Sequence, residues 1–150
     1  MSYNDLRKDR YSEQRQAYFV TMVLAERDRR HFASFSCARC VVAEMRALHD
    51  DGTVDSLAWV VMPDHVHWLF QLGERTDLST VVKRFKARSA RRVNDHLKRR
   101  GALWQKGFYD HALRKEEGIK DIARYIVANP LRAGLVEHIG DYPLWDAIWL

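Results

Sequence analysis

The 150-residue sequence predicts a single domain, residues 1–150, of the α+β class: an antiparallel sheet with helices packed on it. Three observations support this prediction. Strand-like and helix-like segments follow in the order strand, helix, strand, strand, helix, strand, helix. Two of the strands are joined by a two-residue turn, a connection that antiparallel neighbours allow and parallel ones do not. The composition, 47% hydrophobic and 30% charged, is typical of a globular domain.

The first part of the chain predicts an arm, a strand and a helix. Residues 1–14 are polar and predict a flexible arm, whereas residues 17–25 are rich in aromatic and β-branched side chains and predict a strand. Residues 31–49 have the pattern of a helix, which carries Cys37 and Cys40. Zinc sites usually need a second cysteine pair, so we expect both cysteines to be reduced, partly buried helix residues.

A hairpin is predicted over residues 56–72. Its first strand, 56–62, is apolar on both faces, as expected for a strand in the middle of a sheet. Pro63 and Asp64 form the tight turn into the second strand. The hairpin thus supplies two neighbouring antiparallel strands.

Two histidines share one face of the second hairpin strand. Alternate side chains of a strand point to opposite faces, so His65 and His67 face one way and an apolar set faces the core: Val66, Trp68, Phe70 and Leu72. Two imidazoles one pleat apart can bind a metal ion, although a solvent-facing or hydrogen-bonded pair shows the same pattern. A histidine-triad hydrolase is excluded because position 69 is Leu69. Two-histidine phosphoesterases are excluded because their paired His-x-Thr/Ser motifs are absent.

A strongly basic helix is predicted from Asp77, an N-cap residue type, to about Arg100. Between positions 83 and 100 there are nine basic residues and one acid, an excess larger than the net charge of +5 of the whole chain. The imbalance predicts contacts with a phosphate backbone, with a solvated helix face as the alternative. The candidate contacts on this helix are Lys83, Arg84, Lys86, Arg88, Arg91 and Arg92.

The last two predicted elements are a strand over residues 107–114 and a helix over residues 117–129, which ends at Pro130. Five apolar residues at helical spacing form the buried stripe of this helix. Tyr125 falls roughly 130° from the centre of the stripe, so the core does not require it there. Asn129 lies one turn later on the same side. A surface tyrosine is the alternative interpretation.

The first six elements have the βαββαβ order of ferredoxin-like folds, which include the RRM-like sheets. In such folds the helices lie on one face of the sheet. The sequence therefore predicts an open second face that carries the two histidines. The last helix is an addition at the C-terminal end, and it carries Tyr125.

Three segments in this order closely resemble the REP-associated tyrosine transposases: VVMPDHVHWLF, WQKGFYDHALR and YIVANPLRAGLV. REP stands for repetitive extragenic palindrome, and these proteins belong to the single-tyrosine HUH (His–hydrophobic–His) superfamily. The resemblance covers about residues 15 to 145. It implies that His65 and His67 bind a metal ion and that Tyr125 is the nucleophile. It also implies that Asn129 completes the metal site, where relatives often have Gln.

The resemblance implies a metal-dependent endonuclease and strand transferase that cuts single-stranded DNA beside palindromic hairpins. Its intermediate would be a 5′-phosphotyrosine, and its cofactor Mg²⁺ or Mn²⁺, of which imidazoles favour Mn²⁺. A tyrosine hydroxyl is a weak nucleophile at neutral pH, so basic groups such as Lys120 or Arg124 would aid its attack. Trp104, Phe108 or Tyr18 could stack on unpaired bases, with packing in the core as an equally good interpretation of each. Residues 16–19, Gln-Ala-Tyr-Phe, depart from the Gly-Thr-Trp-Phe of many members, which bears on how the hairpin is recognised.

Charge and hydropathy agree with a DNA-binding enzyme of the cytoplasm. The isoelectric point near 9.4 favours an anionic partner, nucleic acid before a membrane. The first thirty residues are charged throughout and no apolar run approaches 18 residues, so neither a leader nor a membrane span is expected. The resemblance favours a monomer, with a dimer possible.

Two other functions remain as alternatives. A non-catalytic RRM-like nucleic-acid binder would carry aromatic side chains on the open sheet face. A metal-dependent hydrolase would use His65 and His67 to activate water, and it would leave Tyr125 without a role.

Overall fold

A computed structural model describes residues 16–149, so the predicted arm over residues 1–14 lies outside the described part of the chain. Its five strands are β1 (Ala17–Val23), β2 (Val54–Met62), β3 (His65–Leu72), β4 (Tyr109–Leu113) and β5 (Trp145–Ala147). Its three α-helices are α1 (Phe35–Asp50), α2 (Leu78–Leu97) and α3 (Glu116–Arg132). None of the described helices has the length and apolar character that crossing a membrane requires.

The strands form one antiparallel sheet in the order β4-β1-β3-β2-β5. The first four strands have the predicted ferredoxin-like arrangement, which is confirmed. Strand β5 was not predicted, because three residues are too few to show a period. Its position is set by pairing with β2, where Trp145 lies opposite Val60.

One face of the sheet packs against α1 and α2. Val66, Trp68 and Phe70 of β3 point into this core, as the alternation predicted, and Trp68 donates to Ser56 Oγ at 2.9 Å. The helices contribute the buried residues Cys37, Val41, Met45 and Leu48 of α1 and Val81, Val82, Phe85 and Val93 of α2. Removal of this apolar surface from water is the main force that holds both helices on the sheet.

Both cysteines are free and lie on α1, as predicted. Cys37 is buried and Cys40 is partly buried. Burial is the main cause that raises the pKa of Cys37 to about 11, so this thiol stays protonated and behaves as an apolar side chain.

The second face of the sheet is covered, which corrects the predicted one-sided arrangement. Helix α3 packs across β2 and β3 through four residues of its predicted stripe: Ile119, Ala123, Ile126 and Val127. Leu69 of β3 and Val60 of β2 lie on the sheet side of this second core. Strand β2 is therefore buried on both faces, which accounts for the unbroken apolar run over its residues 57–62.

Helix α3 continues through Pro130 to Arg132, beyond its predicted end. A proline lacks the N–H that would bond to the carbonyl four residues earlier, so one helical hydrogen bond is lost at Pro130. The following turn keeps its hydrogen bonds, with the Ala133 N–H donating to the Asn129 carbonyl at 2.9 Å. The extension places Arg132 two turns after Tyr125, on the same side of the helix.

Helix α2 begins where the sequence predicts. The side chain of Asp77 accepts a hydrogen bond from the Thr80 N–H at 2.8 Å, which is the expected N-cap bond. The helix ends at Leu97, because Lys98 adopts a left-handed backbone conformation with φ of 54°. Residues 98–100 therefore lie beyond the helix.

Candidate active site

His65 and His67 lie side by side at the start of β3, on the sheet face that α3 covers. Their ring centroids are 4.7 Å apart. Because β3 has β1 on one side and β2 on the other, both imidazoles lie on a middle strand of the sheet. His67 is only 8% exposed, so the pair is not simply a solvent-facing one.

Each imidazole is held by a hydrogen bond at its Nδ1 atom. His65 Nδ1 donates to Asp64 Oδ1 at 2.7 Å, and His67 Nδ1 is hydrogen-bonded to Thr21 Oγ1 at 2.8 Å. Asp64 is itself fixed, because Arg27 Nε donates to its other oxygen at 2.8 Å. These bonds leave the Nε2 atom of each ring for another ligand, the arrangement that metal-binding histidines commonly show.

The surroundings also set the protonation of these groups. Burial acts to raise the pKa of Asp64, but hydrogen bonds from His65 and Arg27 outweigh it and hold that pKa below its ordinary value. Burial is the main cause that lowers the pKa of His67 to about 3, and the nearby charges of His65 and Arg132 contribute to the same shift. His67 is therefore a neutral imidazole at ordinary pH, the form that can bind a metal through a ring nitrogen.

Tyr125 lies on α3, off the buried stripe, with its ring beside the histidines. Its side chain is 45% exposed, as its position on the helix predicted. The ring centroid is 6.1 Å from that of His67 and 6.0 Å from that of Phe19, and Phe19 in turn lies 5.3 Å from His67. Packing of α3 on the sheet thus brings together a tyrosine and a histidine that are far apart in the sequence.

Arg132 is the basic residue that contacts Tyr125, and it was missed in the sequence. Its guanidinium carbon lies 4.0 Å from the centroid of the Tyr125 ring, and Nη2 donates to the Tyr125 carbonyl at 3.0 Å. The candidates suggested by the sequence, Lys120 and Arg124, are instead paired with acidic residues of α3 at 3.1 and 3.0 Å. Two residues seven apart in a helix lie on the same side, and this spacing could have pointed to Arg132. The predicted helix ended before Pro130, so it did not include Arg132.

Asn129 is half-buried one turn after Tyr125. Its Nδ2 donates to the Tyr125 carbonyl at 3.4 Å, which leaves Oδ1 as a possible ligand atom. Within residues 16–149 no three His, Cys, Asp or Glu side chains are grouped so that they could hold a metal ion. A metal here would rest on two imidazole nitrogens and a neutral oxygen, a donor set that suits Mn²⁺ better than Mg²⁺.

The six basic side chains proposed on α2 divide into two groups. Lys86 donates to two backbone carbonyls of the loop 105–107, and Arg92 is paired with the buried carboxylate of Glu44. Arg84 is half-buried. These three support the fold and are less available to DNA than the sequence suggested.

The other three basic residues of α2 are free to meet an anion. Lys83, Arg88 and Arg91 are exposed, and none makes an ion pair or hydrogen bond within the described residues. They form the basic surface of α2, the name used below for these three residues.

Trp104 is part of the core, which corrects its proposed stacking role. It is 7% exposed, its ring packs against Phe32 and Phe85 with centroids 5.4 and 5.8 Å away, and its Nε1 donates to Ser89 Oγ at 3.0 Å. The ring therefore has no free face for a base. Trp104 anchors the segment after α2, and the two other aromatic candidates also pack partly against this core.

Residues 14–129 match the model of a protein family described as transposase, IS200-like. The chain belongs to the IS200-like transposase family. The matched range contains both histidines, Tyr125 and Asn129. A protein of Haemophilus influenzae assigned as a REP-associated tyrosine transposase is 27% identical over 140 residues, covering 84% of this chain and 76% of that protein. The REP-associated tyrosine transposase of Escherichia coli K12 is 31% identical over 86 residues, 57% of this transposase and 50% of the relative.

Solved structures agree with this family. A REP-associated tyrosine transposase bound to a REP hairpin has a TM-score of 0.71 at 24% identity, over 91% of this chain and 79% of that one, a likeness that shows the fold. A Deinococcus radiodurans protein assigned as a transposase has a TM-score of 0.54 at 25% identity, over 73% and 87% of the two chains. The resemblance predicted from the three sequence segments is confirmed.

Neutralising the basic surface of α2 should weaken DNA binding by this transposase and make it less sensitive to salt. We expect the triple variant Lys83→Gln, Arg88→Gln and Arg91→Gln to bind hairpin DNA more weakly. The slope of log affinity against log salt should fall by about 2–3, since each lost phosphate contact contributes ~0.7–0.9. Arg92 is left intact because its removal would leave the buried Glu44 carboxylate unpaired. Fluorescence anisotropy at several salt concentrations measures the slope.

A control variant removes two exposed charges from the neighbouring helix α1. Arg39→Gln with Arg46→Gln lowers the net charge of the protein without changing α2. We expect its slope to stay near that of the unaltered protein. An unchanged slope in the triple variant would show that the basic surface of α2 is only a solvated helix face.

Proposed function

We propose that this transposase cuts single-stranded DNA beside a palindromic hairpin, with Tyr125 as the nucleophile and a divalent metal ion at His65 and His67. The observation that carries the proposal is the contact between the rings of Tyr125 and His67. It sets an exposed tyrosine next to two oriented imidazoles. Relatives named as tyrosine transposases, and a solved relative bound to a REP hairpin, support the choice of chemistry and DNA partner.

The proposed metal site uses the Nε2 atoms of His65 and His67 and Oδ1 of Asn129, with Mn²⁺ favoured over Mg²⁺. When bound, the ion supplies Lewis-acid polarisation of the scissile phosphate. Thr21 and Asp64 contribute by holding the two rings in a metal-binding orientation and tautomer.

The proposed reaction replaces one phosphate ester by another. The oxygen of Tyr125 forms a bond to phosphorus as the bond from phosphorus to the 3′-oxygen breaks. The hydroxyl loses its proton, and the departing 3′-oxygen gains one. The products are a 5′-phosphotyrosine and a free 3′-hydroxyl, and a 3′-hydroxyl of another strand can reverse the step. Strand transfer therefore needs no water and no outside energy source.

The structure disfavours the RRM-like binding function. Such a sheet offers an open face with exposed aromatic side chains to the nucleic acid. Here α3 covers that face, and the middle of the sheet carries His67 rather than an exposed aromatic ring. The hydrolase alternative is not disfavoured in this way, but it gives no role to the contact between Tyr125 and His67.

We also propose that the protein acts as a monomer. Tyr125 and His67 of one chain are already in contact, so a second chain is not needed to supply the nucleophile. Mixing two inactive variants, Tyr125→Phe and His67→Ala, tests this. We expect no cleavage from the mixture, whereas restored cleavage would mean that two chains share a site.

A denaturing gel tests the proposed function. The substrate is a 3′-labelled hairpin with a single-stranded flank, copied from palindromes beside the gene, and it is incubated with Mn²⁺. We expect a labelled band that migrates as protein joined to DNA. Cut DNA without that band would indicate a hydrolase, and uncut DNA that is nevertheless bound would indicate a binding protein.

A further inference from the structure

We propose that Arg132 binds the scissile phosphate while its guanidinium also holds the ring of Tyr125 for attack. This inference rests on the function proposed above and adds a residue to it. Arg132 lies outside the range matched by the family model, which ends at residue 129. The assignment therefore comes from the contacts of this chain.

The contacts of Arg132 place a cation directly at the proposed nucleophile. Its guanidinium carbon is 4.0 Å from the centroid of the Tyr125 ring, and Nη2 donates to the Tyr125 carbonyl at 3.0 Å. A cation over an aromatic face at this distance is attracted to the ring and limits its motion. Arg132 is thus positioned by the residue whose reaction it would assist.

Most of the hydrogen-bonding capacity of Arg132 is unused. A guanidinium group has five N–H donors in one plane, and a single bond, to the Tyr125 carbonyl, is formed within residues 16–149. The residue is exposed, and in the same part of the chain it forms no ion pair. The remaining donors can therefore bind two oxygens of a phosphate group, the geometry for which arginine is well suited.

The backbone of Arg132 is held by the end of α3 and not by a loose tail. After Pro130 the chain closes with hydrogen bonds from the Gly134 N–H to the Leu131 carbonyl and from the Leu135 N–H to the Pro130 carbonyl, both at 3.0 Å. The C-terminal end of a helix also favours a positive charge. Arg132 therefore has a defined position relative to Tyr125, as a catalytic group requires.

Arg132 differs from the other basic residues near the site because it is not paired with a carboxylate of the described chain. Lys120 and Arg124 are paired with carboxylates of α3, and Arg27 is paired with Asp64. Among residues 16–149, Arg132 is the cation that touches Tyr125 without an acidic partner. Negative charge on the phosphate oxygens increases as the attacking oxygen approaches, so a guanidinium group already in place lowers the barrier.

A substrate with a neutral scissile linkage tests this role. A methylphosphonate replaces one non-bridging phosphate oxygen by a methyl group and removes the charge that Arg132 would bind. With the normal phosphodiester, we expect Arg132→Ala to slow formation of the covalent product about 100-fold under single-turnover conditions, the effect typical of one lost transition-state donor. With the methylphosphonate the same substitution should cost much less, and Arg132→Lys should restore part of the rate on the phosphodiester.

The two substrates can also be compared by binding affinity, in a variant that cannot cleave DNA. In the Tyr125→Phe background the ring that Arg132 contacts is kept but the nucleophile is gone. There, Arg132→Ala should weaken affinity for the phosphodiester hairpin about 10-fold, as expected for one lost charged contact, and leave affinity for the methylphosphonate hairpin unchanged. The matched control is Arg124→Gln, since Arg124 is next to Tyr125 in the chain but paired with Asp121. We expect no difference between the two substrates for this control.

Three results would overturn the inference. Equal losses on both substrates would mean that Arg132 acts only on the structure of α3, and the absence of any loss would mean that it has no part in the reaction. A difference between substrates for Arg124→Gln alone would assign the phosphate contact to that residue. Failure of the proposed function is distinguishable, because the unaltered protein would then form no covalent product on the phosphodiester.

Discussion

Tyr125→Phe should yield a folded protein that binds the hairpin but forms no covalent product and cuts nothing. Phenylalanine has no atom able to attack phosphorus, so we expect the rate to fall by about 10⁴-fold or more. The ring contacts with His67, Phe19 and Arg132 remain, since only a hydroxyl is lost. Because the side chain is 45% exposed, the free energy of unfolding should change by no more than roughly 0.5 kcal/mol. Thermal unfolding and a denaturing gel measure the two effects.

Tyr109→Phe is the matched control for this variant. Tyr109 is 70% exposed on the edge strand β4 and pairs in register with Thr21, so it lies on the same side of the sheet as the histidines. The ring contacts of His67, however, are with His65, Phe19 and Tyr125. Tyr109→Phe should therefore leave the covalent product unchanged. Loss of the product in this variant, with retention in Tyr125→Phe, would make Tyr109 the nucleophile.

His67→Ala should abolish cleavage and weaken binding of Mn²⁺, with little loss of affinity for the hairpin. In the proposed mechanism the imidazole supplies a metal-binding nitrogen, whereas we expect affinity for DNA to come mainly from phosphate contacts, with the basic surface of α2 as the proposed source. Thr21→Val should also weaken binding of Mn²⁺, because it deletes the hydrogen bond that orients the His67 ring. We expect that substitution to weaken Mn²⁺ binding about 10–100-fold, a typical effect of losing such a partner.

Calorimetric titration with Mn²⁺ measures these affinities in the absence of DNA. His138→Ala, which removes an exposed histidine beyond α3, is the control and should bind Mn²⁺ like the unaltered protein. Cleavage that survives both His67→Ala and treatment with EDTA would remove the metal ion from the reaction.

The features predicted correctly from the sequence are those with a local period. Side chains alternate along β3 because a strand has a two-residue repeat. The sequence alone therefore predicted that His67 and Trp68 point to opposite faces of the sheet. The apolar stripe of α3 depends on the helical repeat and places Tyr125 outside the core. The cap at Asp77 is a bond between near neighbours in the chain. None of these requires knowledge of which elements pack together.

The features that were missed depend on tertiary contacts. The order of the elements does not show that α3 covers the second face of the sheet. The same order also fits a fold whose helices all lie on one face. For Trp104 the sequence left base stacking and core packing both open, because its partners Phe32 and Phe85 are distant in sequence. Arg92 likewise pairs with Glu44 from another helix. Such contacts decide whether an aromatic or basic side chain is available to DNA.

Arg132 was missed for a different reason. A proline predicts the end of a helix, but α3 continues through Pro130 because the following turn keeps its own hydrogen bonds. With the helix continued, the seven-residue spacing from Tyr125 puts both residues on one side. The central claim, that Tyr125 of this active site becomes joined to DNA, does not depend on that detail.

Mass spectrometry of the covalent product tests the central claim most directly. The product is trimmed with nuclease and digested with trypsin, which separates the two candidate tyrosines: Tyr125 falls in the peptide of residues 125–132, YIVANPLR, and Tyr109 in residues 107–114, GFYDHALR. Each peptide contains one tyrosine. We expect the mass of a 5′-phosphonucleotide on the 125–132 peptide. Cut DNA without a modified peptide, or a modified 107–114 peptide, would contradict the assignment of Tyr125 as the nucleophile.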